Sequence, residues 1–167
     1  FINFIRIKSS YFFEFAYFLG INKTSPAWDI PLSNADIEFS KTISTSDKPL
    51  FVISPAASKD ERNWLNDRYA SVADHAIKQG YEVVLCGSPA PREIKLGEAI
   101  EKAMQHTAIN LIGKTSLKQL TATLKEAAIV LAPDSGPAHI ATTQNTPVIG
   151  LYGHSNPLRT RPYLSQE

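Results

Sequence analysis

Asp134, Ser135, Gly136 and His139 stand close together in the stretch APDSGPAHIA, which covers residues 132–141. An acid, a hydroxyl and an imidazole here follow directly after the apolar run AAIVL. An apolar run of this length is typical of a buried strand. The spacing therefore predicts a polar site at the point where a strand ends and a helix begins.

The chemistry that this turn favours is the binding of an anion. The first amides of a helix have no intrahelical partner, and the helix dipole places partial positive charge beside them. Pro137 suits this first turn because it has no amide to leave unpaired. Gly136 lets a ligand approach the backbone, and Ser135 adds a hydroxyl donor. The turn therefore predicts a phosphate pocket, in which Asp134 faces sugar hydroxyls or braces the turn because its charge repels phosphate.

A purely structural interpretation of the same residues is also open. Asp134 or Ser135 would then cap the helix, and His139 would be a packed helix residue. A serine hydrolase is disfavoured, because there is no G-x-S-x-G elbow and residues four apart on one helix cannot form a catalytic chain. Asp134, His139 and His154 have no recognised metal-ligand spacing, so we expect no metal site.

Alternating strands and helices are the elements that must position this turn. Five apolar runs, LFVIS, EVVLC, AINLIG, AAIVLA and PVIGLYG, alternate with helical segments at a spacing of about 25 residues. This alternation predicts an α/β fold with a doubly wound parallel sheet. Because ligands bind outside the carboxyl ends of such strands, we expect the loops after all five strands to converge.

The helical segments also predict which side chains face the core. In the helix after GSPAPRE, the residues expected to face inward are Ile94, Ala99, Ile100 and Ala103. In the helix of TSLKQLTATLKEA, Ser116 is the expected N-cap. The apolar stripe expected on that helix is formed by Leu117, Leu120 and Leu124.

The composition limits the class of protein. The 167 residues are 43% hydrophobic, enough for one full core, and 17 basic residues almost balance 16 acidic ones. With no basic block, a nucleic-acid partner is not expected. The lone Cys86 ends an apolar run, which indicates a buried thiol in a reducing cytoplasm. No membrane span is expected, because the most lipophilic stretch, YFFEFAYFLGI, is short and contains Glu14.

Residues 1–49 differ in character from the rest of the chain. A strand-like piece and an aromatic helix precede the Pro-, Ser- and Asn-rich stretch INKTSPAWDIPLSNAD, which is typical of a linker. Ser33 or Asn34 is expected to cap a short helix after it. Because Phe1 is not a start methionine, we expect a fragment of a longer protein.

Several stretches together resemble one family. IVLAPDSGPAHIATTQNTPVIGLYGHSNP resembles the signature of glycosyltransferase family 9, the bacterial lipopolysaccharide heptosyltransferases, which runs D-[ST]-G-x-x-H and then P-x-[IV]-x-L-[FY]-G-x-[ST]-[DN]-P. Upstream, FVISPAASKDERNWLNDRYASVADHA, VVLCGSPAPRE and NLIGKTSLKQLTATLKEA resemble the first strand, the G-G/S-P loop and the G-K-[TS]-S-L helix start of that family. The resemblance covers residues 50 to 160.

This resemblance implies the C-terminal half of a GT-B fold, in which two Rossmann-like domains enclose a cleft. Residues 1–49 would be a remnant of the N-terminal domain with the interdomain linker, and residues 50–167 a Rossmann-like domain that binds a nucleotide sugar. The implied activity is transfer of heptose from ADP-heptose, with inversion, to the inner core of lipopolysaccharide. The donor and the lipopolysaccharide acceptor are the implied partners, and no cofactor is expected. The implied location is the cytoplasm, where the inner face of the inner membrane is available for peripheral association.

The resemblance also implies which residues bind the diphosphate. The backbone amides of Ser135 and Gly136 would cradle it, and Ser58 and Arg62 would reach the same phosphates. Arg62 stands where the family usually has lysine, so the charge is kept and the contact can become bidentate. The alternative for Arg62 is a solvated loop charge.

The remaining implied contacts are with the nucleoside and the sugar. Lys114 and Thr115 would lie near the adenosine, and Glu93 would bind the ribose. Asp134 and His139 would line the sugar end. The alternative for Lys114 is a charge at a helix start.

The resemblance places the general base in the N-terminal domain, so we expect the chain alone to bind donor and transfer no sugar. Two other functions are weighed against the heptosyltransferase. One is a non-catalytic nucleotide- or phosphate-binding module. The other is a different GT-B enzyme, such as a sugar-nucleotide epimerase.

Overall fold

The computed structural model describes residues 8–22, 28, 30–44, 46–160 and 162. Its strands are β1 (Leu50–Ile53), β2 (Glu82–Leu85), β3 (Ile109–Asn110), β4 (Ala127–Pro133) and β5 (Val148–Leu151). Its helices are α1 (Lys8–Phe18), α2 (Asn34–Thr42), α3 (Asn66–Lys78), α4 (Pro91–Ala103), α5 (Leu117–Glu126), α6 (Gly136–Thr143) and α7 (Pro157–Thr160), with a 3-10 turn at Asp60–Arg62. The five strands form one parallel sheet in the order β3-β2-β1-β4-β5.

Strand β1 shows why the sheet is covered on both faces. Successive side chains of a strand point to opposite faces, and all four residues of β1 are buried. Phe51 and Ile53 pack in a cluster with residues of α3 and α4, whereas Leu50 and Val52 pack in a second cluster with residues of α5 and α6. The predicted doubly wound parallel sheet is confirmed.

The buried face of α4 differs from the predicted one. Ile100 is fully buried and Ala99 half-buried, but Ile94 and Ala103 are exposed. Gly97 is the reason, because its missing side chain admits Ile112: a Cβ at Gly97 would lie only 2.5 Å from Ile112 Cδ1. The helix therefore approaches the core through this glycine rather than along the predicted apolar stripe.

The predicted cap of α5 is confirmed, and its predicted stripe is partly wrong. Ser116 and Gln119 form a reciprocal capping box, in which each side chain accepts a hydrogen bond from the other residue's amide. Leu120 and Leu124 are buried, but Leu117 is 68% exposed. Leu117 lies in the first turn, at the edge of the sheet where the loops leave a cavity.

The segment before β1 contains a capped helix that contacts the sheet domain. Ser33 caps α2, as predicted, and α2 packs against α5. The predicted strand-like piece falls on residues 1–7, which lie outside the described residues, as do residues 23–27 of the linker. The predicted boundary at residue 50 stays a prediction. Among the helices that the structure describes, none is long and apolar enough to cross a membrane.

Candidate functional site

The carboxyl ends of β1 and β4 lie side by side at the centre of the sheet, where the strand order reverses. Such a switch point is the usual ligand site of an open parallel sheet. A cavity of about 700 Å³ opens there, between the loops that follow β1, β2, β3 and β4. The sequence-predicted site residues in its wall are Ser58, Glu93, Thr115, Asp134, Ser135, Gly136 and His139. The loop after β5 adds no lining residue within the described part of the chain, contrary to the expectation that five loops converge.

The start of α6 forms one side of this cavity. Ser135 occupies the N-cap position in an extended conformation, but its side chain makes no capping hydrogen bond. Its hydroxyl oxygen is buried and has no partner among the described residues. A Cβ at Gly136 would meet no atom within 4 Å, so the backbone there faces open space. The capping interpretation of Ser135 therefore fails, and a hydroxyl donor stands beside the unpaired amides of a helix start.

Asp134 is held between two basic side chains. The carboxylate is almost fully buried, and its Oδ2 lies 3.3 Å from Arg62 Nη1. Its Oδ1 lies 4.0 Å from His139 Nε2. The ion pair with Arg62 thus ties the turn after β4 to the loop after β1, and the predicted contact of Asp134 with sugar hydroxyls stays a prediction.

Arg62 lies beside the cavity and reaches its wall through Asp134. It ends the 3-10 turn, and its side chain is 29% exposed. Its Nε is buried and has no hydrogen-bond partner among the described residues. The guanidinium therefore keeps one buried donor, Nε, that the ion pair with Asp134 does not use. Arg62 is thus ion-paired rather than fully solvated, and its predicted contact with the phosphates stays a prediction.

His139 presents a neutral imidazole at physiological pH. Burial lowers the pKa of His139 below its ordinary value, and the negative charge of Asp134 acts in the opposite direction. The side chain is 47% exposed on the cavity side. A neutral ring with one donor and one acceptor nitrogen suits hydrogen bonding to hydroxyl groups rather than charge neutralisation of phosphate.

The loop that carries Ser58 is held by side chains from three directions. The Ala57 amide donates to Asn63 Oδ1 at 2.7 Å, and Arg92 Nη2 donates to the Ala57 carbonyl at 2.8 Å. Tyr69 donates its hydroxyl to the Pro55 carbonyl at 3.2 Å. Ser58 itself is exposed at the cavity wall. The backbone next to Ser58 is therefore fixed, while its side chain remains accessible.

Glu93 and Lys114 are both engaged with the protein backbone. Glu93 Oε2 accepts a hydrogen bond from the Ser88 amide at 2.7 Å, which closes the loop after β2. Lys114 Nζ donates to the Asn110 carbonyl at 2.7 Å, and Lys114 is not part of the cavity wall, whereas its neighbour Thr115 is. Of the predicted residues, the structure therefore brings all but Arg62 and Lys114 to the cavity surface.

Arg92 is a cavity residue that the sequence reasoning missed. It lines the cavity beside Glu93, and it bonds Asp60 at 3.0 Å as well as the Ala57 carbonyl. The sequence contained one signal for it. Arg92 stands in the first turn of a predicted helix, where the helix dipole disfavours a basic residue. A residue at such a position needs a compensating partner.

Comparison with known proteins identifies related chains. Residues 7–167 match the model of glycosyltransferase family 9 (heptosyltransferase). The chain is 47% identical over 152 residues to the lipopolysaccharide core heptosyltransferase OpsX of Haemophilus influenzae. The aligned region covers 91% of this chain and 44% of that protein.

Two solved structures share the fold. A glycosyl transferase family 9 protein from Veillonella parvula superposes with a TM-score of 0.86 at 27% identity, over 95% of this chain and 47% of that one. Escherichia coli ADP-heptose lipopolysaccharide heptosyltransferase II superposes with a TM-score of 0.71 at 29% identity, over 80% of this chain and 42% of that one. The chain thus spans less than half the length of these relatives, and the Rossmann-like half of a GT-B fold is confirmed.

Proposed function

This chain belongs to glycosyltransferase family 9, and we propose that it forms the donor-binding half of a heptosyltransferase. The proposed reaction transfers a heptose from ADP-heptose to the inner core of lipopolysaccharide, with inversion at the sugar carbon. The relative from Haemophilus influenzae is described as a lipopolysaccharide core heptosyltransferase, and the one from Escherichia coli as acting with ADP-heptose. These descriptions support the donor and the acceptor in the proposal.

The buried, unpartnered hydroxyl of Ser135 is the observation that carries this proposal. A buried hydroxyl without a hydrogen bond costs free energy, of the order of 1–3 kcal/mol. It stands at a helix N-terminus beside the open backbone of Gly136. A diphosphate oxygen placed there would satisfy the hydroxyl, the helix amides and the dipole together.

The proposed mechanism depends on stabilising the departing diphosphate. Negative charge grows on the leaving group as the glycosidic bond breaks, and donors that are already in place stabilise it without reorganisation. The amides at the start of α6, the Ser135 hydroxyl and Arg62 Nε would supply these donors. Neutral His139 and the ion-paired Asp134 would face the sugar hydroxyls, and Glu93 and Thr115 the nucleoside.

The rest of the enzyme would complete the reaction. The acceptor hydroxyl must lose a proton as it attacks, which requires a general base. We assign that base to the part of the enzyme outside this chain. The proposed location is the cytoplasm, which agrees with the buried, free thiol of Cys86. Peripheral association with the inner membrane stays a prediction.

The family membership does not favour the two alternatives, a non-catalytic phosphate-binding module and a different GT-B enzyme such as an epimerase. The test of the proposal is calorimetry of the chain with ADP, UDP, GDP, adenosine and pyrophosphate. We expect ADP to bind more tightly than UDP, GDP, adenosine or pyrophosphate. Equal affinity for the three diphosphates would contradict an ADP-linked donor, and no binding of any of them would contradict the donor pocket.

A further inference from the structure

We propose that Arg92 is a positioning residue for the diphosphate loop, defined as residues 57–62, which carries Ser58 and Arg62. The role in ligand binding rests on the function proposed above. Arg92 stands on α4, outside this loop in sequence, and holds the loop at two points. Its Nη2 donates to the Ala57 carbonyl at 2.8 Å, and its Nη1 donates to Asp60 Oδ1 at 3.0 Å.

The location of Arg92 argues against an ordinary surface charge. It lies in the first turn of α4, where the helix dipole disfavours a cation. Its side chain is only 45% exposed, and its two terminal nitrogens bind two different acceptors. The planar fork of a guanidinium can satisfy both acceptors at once, whereas the single ammonium group of a lysine holds them less well. The geometry therefore favours an arginine here, because both acceptors belong to the diphosphate loop.

Ala57 is the point through which Arg92 acts. Both backbone groups of Ala57 are bound by side chains, the carbonyl by Arg92 and the amide by Asn63. Ser58 is the next residue, so its direction into the cavity depends on these two contacts. Asp60 begins the 3-10 turn that ends at Arg62, so the second contact of Arg92 fixes the start of that turn. One side chain thus sets the positions of both predicted phosphate ligands of this loop.

The neighbouring residue does the same for a second loop. Glu93 accepts the Ser88 amide at 2.7 Å and thereby holds the loop after β2. The first turn of α4 therefore fixes two walls of the cavity through two adjacent side chains. This arrangement explains how two loops that belong to no strand or long helix hold a defined shape at the cavity wall.

The experiment compares Arg92→Gln and Arg92→Lys with Lys95→Gln. Lys95 lies one turn further along α4 and makes no hydrogen bond to the described residues of the diphosphate loop, so it controls for loss of a charge. In calorimetry we expect Arg92→Gln to weaken ADP binding about tenfold, with adenosine affinity unchanged within about twofold. Arg92→Lys should recover only part of the loss, and Lys95→Gln should resemble the unchanged chain.

Two further readouts distinguish a positioning role from a direct phosphate contact. Hydrogen exchange should become faster at the Ala57, Arg62 and Asn63 amides in Arg92→Gln, because these amides are hydrogen-bonded within the held loop. The losses of ADP affinity from Arg92→Gln and Arg62→Ala should also be non-additive, since Arg92 acts through the loop that carries Arg62. Both results would support the proposal.

Several outcomes would overturn it. Unchanged exchange at the three amides would show that Arg92 does not hold the loop, whatever the ligand. Additive losses would make Arg92 a direct ligand instead of a positioning residue. If the unchanged chain binds no nucleoside diphosphate while exchange still rises in Arg92→Gln, the proposed function fails and the structural restraint is supported.

Discussion

Arg62 Nη1 lies 3.3 Å from Asp134 Oδ2, which joins the loop after β1 to the turn after β4 across the switch point of the sheet. An almost fully buried carboxylate is costly unless it is paired. The pair therefore explains how an acid can stand beside a predicted phosphate site. Arg62 neutralises Asp134 with one nitrogen and keeps its buried Nε without a partner among the described residues.

Replacing Arg62 by alanine should weaken ADP binding for two reasons. The variant loses a charge-assisted hydrogen bond, and it leaves the Asp134 charge uncompensated next to the phosphates. We expect a loss of about 1.5–3 kcal/mol in ADP binding free energy, with almost no change for adenosine. Calorimetry with both ligands measures this difference.

The partner residue supplies the control for Arg62→Ala. Adding Asp134→Asn to that variant removes the uncompensated charge, so it should restore part of the ADP affinity. Equal losses for ADP and adenosine in Arg62→Ala would show that Arg62 does not bind phosphate.

Gly136→Val should damage binding more than folding. The Gly136 φ is outside the left-handed region, and a Cβ there meets no atom within 4 Å beyond its chain neighbours and its own helix, so the new side chain points into the open space that the ligand needs. We expect a near-normal melting temperature by circular dichroism and loss of ADP binding by calorimetry.

Gly97 offers the matched control for this prediction. A Cβ at Gly97 would clash with Ile112 at 2.5 Å, so Gly97→Val should lower the melting temperature clearly. A Gly136→Val variant that binds ADP normally would count against the pocket at the start of α6.

The sequence predicted those features that depend on local pattern and on general topology. Apolar runs predicted the strands, and the convergence of parallel strand ends placed Ser58, Glu93 and Thr115 with Ser135 at one cavity. Such predictions succeed because burial determines the pattern of residue types along the chain.

Contacts between side chains and distant backbone groups were beyond the sequence. Arg92 binds a carbonyl 35 residues away, and Asp74 binds an amide 31 residues away. The pattern of residue types predicts neither contact, because every residue offers backbone groups and nothing in the sequence marks the one that is bound. The sequence reasoning therefore missed Arg92 in the cavity wall and the buried Asp74 on α3.

Asp74 should contribute to stability in a pH-dependent way. Its carboxylate accepts the Gln105 and His106 amides, each at 2.9 Å, and His106 Nδ1 lies 3.0 Å away. Burial raises the pKa of Asp74, but these hydrogen bonds outweigh burial and leave the pKa below the ordinary value of 3.8. The contribution is therefore present above about pH 4 and is lost as pH falls through the folded-state pKa.

Asp74→Asn tests this linkage. At neutral pH we expect a loss of about 1–2 kcal/mol in unfolding free energy, because an amide replaces a charged acceptor. The difference from the unchanged chain should shrink below about pH 4 in denaturant titrations. Glu98→Gln, which removes an exposed carboxylate from α4, serves as the control and should have little effect at either pH. A pH-independent loss for Asp74→Asn would contradict the linkage.

The protonation of His139 should report on the charge of Asp134. Burial lowers the pKa of His139 below 6.5, and Asp134, whose Oδ1 is 4.0 Å away, raises it. Asp134→Asn removes the negative charge that stabilises protonated His139 but leaves the ring equally buried, so the His139 pKa should fall further. Proton NMR titration of the imidazole resonances measures the His139 pKa in both chains.

Asp74→Asn is the control for this prediction, because it removes a carboxylate from α3 instead and should leave the His139 pKa unchanged. Since a bound diphosphate adds negative charge to the cavity, ADP should raise the pKa of His139 in the unchanged chain. If neither Asp134→Asn nor ADP changes the His139 pKa, the imidazole does not interact electrostatically with the site.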